Sequence, residues 1–184
     1  MANTAVRSSD SLRSHSFAKN VALVIGASIA ISICARLSFP LPFTPVPFTL
    51  ANFGLLAVGL LLGSKRAGAA ALLYLAYGAA GIPVFSPVSG GLLGVTAGYL
   101  WAFPLVAFVA GWIAERGTPS FTRNLLAAIA GDIVLFVGGI GWLFAFTHSW
   151  QKALFLGGYW FIFGEIIKIM ASAGLASRVR RARS

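Results

Sequence analysis

Apolar residues along this chain come in six long blocks, at about 21–39, 48–63, 67–85, 92–114, 125–146 and 153–176. Each approaches the roughly 20 residues that a helix needs to cross a bilayer. Backbone in lipid must satisfy its own hydrogen bonds, so blocks of this length without period-two alternation predict helices. The expectation is an all-α membrane protein of six transmembrane helices. A polar, basic N-terminal arm (1–18) precedes the six-helix domain (19–176), and a basic tail (177–184) follows it.

Two interruptions between blocks are unusual. "PLPFTPVPFTL", Pro40 to Leu50, carries four prolines, which remove backbone donors and exclude helix. "GIPVFSPVSGGLLG", Gly81 to Gly94, is also apolar and helix-breaking. Irregular backbone at membrane depth persists only when buried in protein or lining a cavity. These stretches are therefore either tight connectors or lids over an outward-facing cavity. In the second case Pro42, Pro45, Pro47, Pro83 and Phe85 are the lid residues.

Composition fixes the solvent. The chain is 58% hydrophobic and 10% charged, against about 25% charged in soluble domains. A net charge of +10 would suit nucleic acid, but its distribution points to a membrane. Eleven of the fourteen Lys and Arg residues fall in the arm (Arg7, Arg13, Lys19), at Lys65/Arg66, at Arg116/Arg123, and in the tail (Arg178, Arg180, Arg181, Arg183). These clusters lie between alternate apolar blocks, the positive-inside pattern, which puts both termini in the cytoplasm; the expected location is the cytoplasmic (inner) membrane. Loops 40–47, 86–91 and 147–152 then lie outside, with Lys152 their single basic residue. Nucleic-acid binding is set aside, and the tail is expected to meet anionic lipid headgroups. Cys34 is the sole cysteine, which precludes an intrachain disulfide.

Charge inside the blocks is costly and marks candidate sites. Glu165 and Lys168 in "FGEIIK" share one helix face at i, i+3. They are either a self-neutralising pair or a polar anchor in an apolar pocket. Asp132 lies nearer the cytoplasmic end of its block and is expected to face a partner, while Arg36 snorkels from the outer end of the first. Ala22, Gly26 and Ala30 form a small-residue row, continued by Cys34, suited to close helix packing within the bundle or with a partner. His15 and His148 have no neighbouring ligand pattern, so no metal site is expected. "GLLLGSK" lacks the spacing and residue order of a phosphate loop.

The longer motifs carry a family likeness. "PFTPVPFTLANFGLLAVGLLLGSKRAGAAALLYLAYGAAGIPVF" followed by "GVTAGYLWAFPLVAF", with "GDIVLFVGGIGWL" and "GEIIK", closely resembles the BioY family. The likeness runs in order from about Arg36 to Lys168. It implies a six-helix biotin-binding S component of an energy-coupling-factor transporter. Its partners would be a transmembrane T component and two ATPase subunits, or it would act without a dedicated energising module. Biotin would be transported substrate, with no cofactor and no enzymatic step.

Asn52, Glu165 and Lys168 are then the expected polar contacts, with Thr49 beside them. Tyr99 and Trp142 would be aromatic walls, and Thr96 and Gly98 would shape a turn close to ligand. Two departures from the family pattern bear on the pocket. Ala51 stands where the family usually has Gln, and Glu165 where it has Asp. The alternatives are an S component for a different vitamin, an intramembrane enzyme using Asp132 and Glu165 as acid and base, and a purely structural subunit.

Overall fold

The computed structural model describes residues 2–182, with side chains from residue 16 onward. The side chains of Arg7, Arg13 and His15, and all of Arg183 in the basic tail, lie outside the described residues.

Helix dominates. In chain order, α1 (Ala2–Arg36) leads into a β-hairpin of β1 (Ser38–Leu41) and β2 (Thr44–Thr49), then α2 (Ala51–Leu62) and α3 (Ser64–Ala79). After a loop with one 3-10 turn (Gly91–Leu93) come α4 (Ala97–Glu115) and α5 (Phe121–Thr147). The chain ends in α6 (Trp150–Leu154), a π turn (Phe155–Tyr159) and α7 (Ile162–Arg181). Among the described residues, three helices are long and apolar enough to span a bilayer, or four when the last bent pair counts as one span.

The block boundaries shift for local reasons. The proline run is not irregular but forms the antiparallel hairpin, pairing Ser38 with Thr49 and Phe39 with Phe48. A two-stranded ribbon has free edges, so Pro45 and Pro47 forfeit no ladder bond there. Gly63 separates α2 from α3 at φ 83°, ψ 170°, a conformation essentially reserved for glycine. The sixth block is not one straight helix: it bends by 45° between Trp150–Tyr159 and Ile162–Arg181, at a π turn containing Gly157 and Gly158. Such bulges are a recognised cause of kinks.

Small residues line the seams. A methyl added at Gly138 would lie 2.7 Å from Ala102 Cβ across the α4–α5 contact, and one at Gly59 would lie 2.8 Å from the Ala107 carbonyl across α2–α4. Larger residues face outward: Leu126, Ile133 and Val137 of α5 are 58–70% exposed. Small residues at the helix seams suit helices that pack by close contact in lipid. The interior holds Ile31, Leu55, Leu56, Leu60, Tyr74 and Val106, all essentially inaccessible.

One end of the bundle is basic and tied together. Ser64 Oγ donates to Glu115 at 2.7 Å, Arg180 donates to the Ala114 carbonyl at 3.0 Å, Arg123 donates to the Arg116 carbonyl, and Arg116 covers the Trp112 ring. The hairpin and the loop between α3 and α4 sit at the other end. There Ser86 Oγ donates to Ser38 Oγ at 2.8 Å, and Thr44 Oγ1 donates to the Leu156 carbonyl at 2.5 Å.

Candidate functional site

Beneath the hairpin the helices line a partly open cavity of about 70 Å³. Its walls are mostly apolar: Val46, Pro47, Leu100, Phe103, Leu135 and Phe161, with Tyr74 and Tyr99. Ser86 and Ser89 reach it from the α3–α4 loop.

A buried charged cluster occupies one side. Lys168 Nζ donates to Glu165 Oε1 at 2.6 Å, with both side chains at most 7% exposed. The Asn52 amide nitrogen donates to Glu165 Oε2 at 2.7 Å and to Asp132 Oδ1 at 2.7 Å. The ammonium also lies 4.3 Å from the centroid of the Phe48 ring, a cation–π contact from the hairpin. Three helices and a strand thus converge: α2 brings Asn52, α5 Asp132, α7 Glu165 and Lys168, and β2 Phe48. The i, i+3 spacing on α7 puts its two charges on one face, as the sequence required.

Two buried polar atoms at this cavity have no partner, Asn52 Oδ1 and Thr96 Oγ1. A buried hydrogen-bonding atom left unpaired is expensive, so a ligand or a water at these positions would complete them. Tyr99 is placed by its hydroxyl, which donates to the Gly157 carbonyl at 2.8 Å in the π turn. Thr49 Oγ1 accepts from the Ala51 amide at 3.3 Å and so anchors the entry to α2.

Of the residues singled out from sequence, Asn52, Thr49, Thr96, Tyr99, Glu165 and Lys168 line this one cavity, and so does Ala51. Gly98 and Trp142 do not. Gly98 sits about 100° round α4 from Tyr99 and packs against the Trp142 side chain at the α5 seam. The Trp142 indole donates to the Gly94 carbonyl at 3.1 Å, bracing the loop from outside the cavity. Pro47 reaches the cavity, whereas Pro42, Pro45 and Pro83 are exposed. Phe85 instead packs edge-on to Tyr74 at 5.2 Å.

Asp132 corrects an expectation: it does not face outward but is 7% exposed within the cluster. Phe48 and Tyr74 were not anticipated, since an aromatic in an apolar run carries no mark of a site. Arg36 is exposed at the end of α1, as snorkelling requires. The row Ala22, Gly26, Ala30 is also exposed, and a side chain at Gly26 would meet nothing within 4 Å. Among the described residues no group of three or more His, Cys, Asp or Glu is arranged to hold a metal.

A lipid-facing helical bundle around a mostly apolar cavity with buried charge on one wall defines a solute-binding integral membrane protein. The chain belongs to the BioY family, whose family model matches residues 4–184. It is 35% identical over 162 residues to the biotin transporter BioY of Thermotoga maritima, covering 86% of this chain and 89% of that one. It is 37% identical over 174 residues to a probable biotin transporter BioY of Pyrococcus horikoshii, covering 89% and 97%. Its fold matches a crystal structure of the S-component for biotin from an ECF-type ABC transporter, with a TM-score of 0.81 at 26% identity, covering 91% of this chain and 93% of that one. The resemblance noted in the motifs is borne out.

Proposed function

We propose that the chain is the biotin-binding S component of an energy-coupling-factor transporter and takes up biotin across the cytoplasmic membrane. The observation that carries the reading is the Asn52–Glu165–Lys168 cluster on one wall of an otherwise apolar cavity. Biotin matches that wall chemically. Its bicycle is apolar, its ureido group has two N–H donors and a carbonyl, and its valerate ends in a carboxylate. Glu165 and the free Asn52 oxygen accept N–H donors, and Lys168 donates.

The chain crosses the membrane six times in this reading, with both termini in the cytoplasm. The short α2 and α3 count as spans, and the bent α6–α7 unit counts as one. Lys65, Arg66, Arg116, Arg123 and Arg180 gather at one end, which supports a cytoplasmic orientation for it. The hairpin and the α3–α4 loop then face outside as a lid. The exposed Ala22–Gly26–Ala30 row is the surface offered to a T component, which two ATPase subunits energise, unless the chain acts alone. The basic tail contacts anionic headgroups.

Calorimetry on the purified chain in detergent tests the central claim. Saturable, ATP-independent biotin binding is the expected result. No heat and no displacement of labelled biotin at micromolar concentrations would reject it. Ala51, on the cavity wall where the family usually has Gln, is the observation that favours an S component for another vitamin. Competition by other vitamins in the same assay separates the two.

A further inference from the structure

We infer that Asp132 is a positioning residue: it holds the Asn52 amide so that its oxygen, and not its nitrogen, faces the substrate. The inference rests on the biotin-binding reading above and adds to it a residue outside the cavity lining.

The Asn52 amide nitrogen has two hydrogens, and both are engaged. One goes to Asp132 Oδ1 and one to Glu165 Oε2, each at 2.7 Å. Ionised carboxylates only accept. Turning the amide over would press its oxygen against two carboxyl oxygens, where one shared proton could satisfy at most one contact, so the nitrogen-inward orientation is favoured. What remains is Oδ1, which has no partner in a side chain 3% exposed at the cavity wall. It is available to accept from an N–H or O–H of a bound molecule.

The two carboxylates are not equivalent. Glu165 lines the cavity and is shared with Lys168, so substrate competes for it. Asp132 does not line the cavity; it accepts from Asn52 and has the Glu165 carboxyl beside it. Substrate in the cavity therefore does not compete with the amide for it. Preorganising one acceptor this way avoids the cost of orienting it at each binding event.

The test is a series at position 132 read against Asn52, by equilibrium biotin binding in detergent, with displacement extended to millimolar biotin. Asp132→Leu removes the acceptor, fills the space apolarly, and is expected to weaken binding about tenfold. Asp132→Asn keeps a neutral acceptor and is expected to lose clearly less. In an Asn52→Ala background, Asp132→Leu should cost less than about twofold, because the amide it positions is gone. Where Asn52→Ala falls below detection, Asn52→Ser takes its place in the cycle. Parental affinity in Asp132→Leu, equal losses from Leu and Asn, or a tenfold loss that persists without Asn52 would each overturn the inference. The last result would mean that Asp132 supports the fold rather than the amide. Failure of the parent chain to bind biotin at all would instead reject the proposed function.

Discussion

Replacing Lys168 with Met separates what the buried ion pair does for the fold from what it does for the substrate. Both side chains are nearly inaccessible, with Nζ and Oε1 2.6 Å apart. Met fills similar volume but leaves Glu165 with the Asn52 N–H and no counter-ion. Breaking a buried pair by removing one partner costs about 3–5 kcal/mol. Adding Glu165→Gln removes the stranded charge while keeping an acceptor for Asn52. Because buried pairs contribute little net stability over well-packed neutral side chains, the double variant should recover to within about 1 kcal/mol of the parent. Binding should behave differently. Each charged group lost from a dry site removes a contact of about 1.5–3 kcal/mol, or roughly ten- to a hundredfold in affinity. The double variant should bind at least as weakly as the worse single one. Thermal melting and calorimetry in the same detergent read the two quantities side by side. A Glu165→Gln/Lys168→Met protein that binds biotin like the parent would refute the site, and one less stable than Lys168→Met would refute the pair argument.

Glu165→Asp should keep binding within several-fold in the same titration, because charge and acceptors persist and only one methylene is lost. Gly26→Leu should abolish uptake by cells yet leave binding by the purified chain unchanged, since a side chain there meets nothing in this chain within 4 Å; loss of both activities would put that face in the fold. Gly139→Ala forces a methyl onto the Tyr99 ring, and overpacking of this kind should cost about 1–3 kcal/mol in melting experiments. Thr44→Val removes the 2.5 Å bond from the hairpin to Leu156 and should speed biotin release about fivefold, the equivalent of one neutral hydrogen bond; an unchanged dissociation rate would mean that the hairpin is held by packing alone.

Sequence periodicity found the helices because lipid leaves the backbone few options. It located Glu165 and Lys168 because charge in an apolar block is conspicuous. The hairpin was hidden because prolines at 45 and 47 read as breakers, and only the ribbon's free edges make them harmless. The bend in the last block was hidden as well, since Gly157–Gly158 is as compatible with straight helix as with a π turn. Asp132 was misplaced because depth along a helix says nothing about which face points inward. The same gap explains Gly98 and Trp142: adjacent residues on α4 differ by about 100° in direction. Facing requires the partners, and those come from distant parts of the chain.

The contacts within the bundle are of two kinds, close backbone seams between helices and side-chain links from the hairpin and the α3–α4 loop. α2, α4 and α5 meet at seams where glycines bring backbones together: Gly59 against the Ala107 carbonyl, Gly138 against Ala102, and Gly131 against Leu56 and the Val106 carbonyl. Interiors packed this closely resist continuous deformation. Asn52 and Asp132 stand on helices joined by such seams, so their geometry is set before substrate arrives. The hairpin and the α3–α4 loop are linked differently, through single side-chain hydrogen bonds: Ser86 to Ser38, Thr44 to Leu156, and the Trp101 and Trp142 indoles to the Leu92 and Gly94 carbonyls. Each is worth about 1 kcal/mol, supplemented by packing of Phe43 on Trp160 at 4.4 Å between ring centroids. On the lid reading proposed above, entry and release of substrate would part these contacts while the helical wall stays in register.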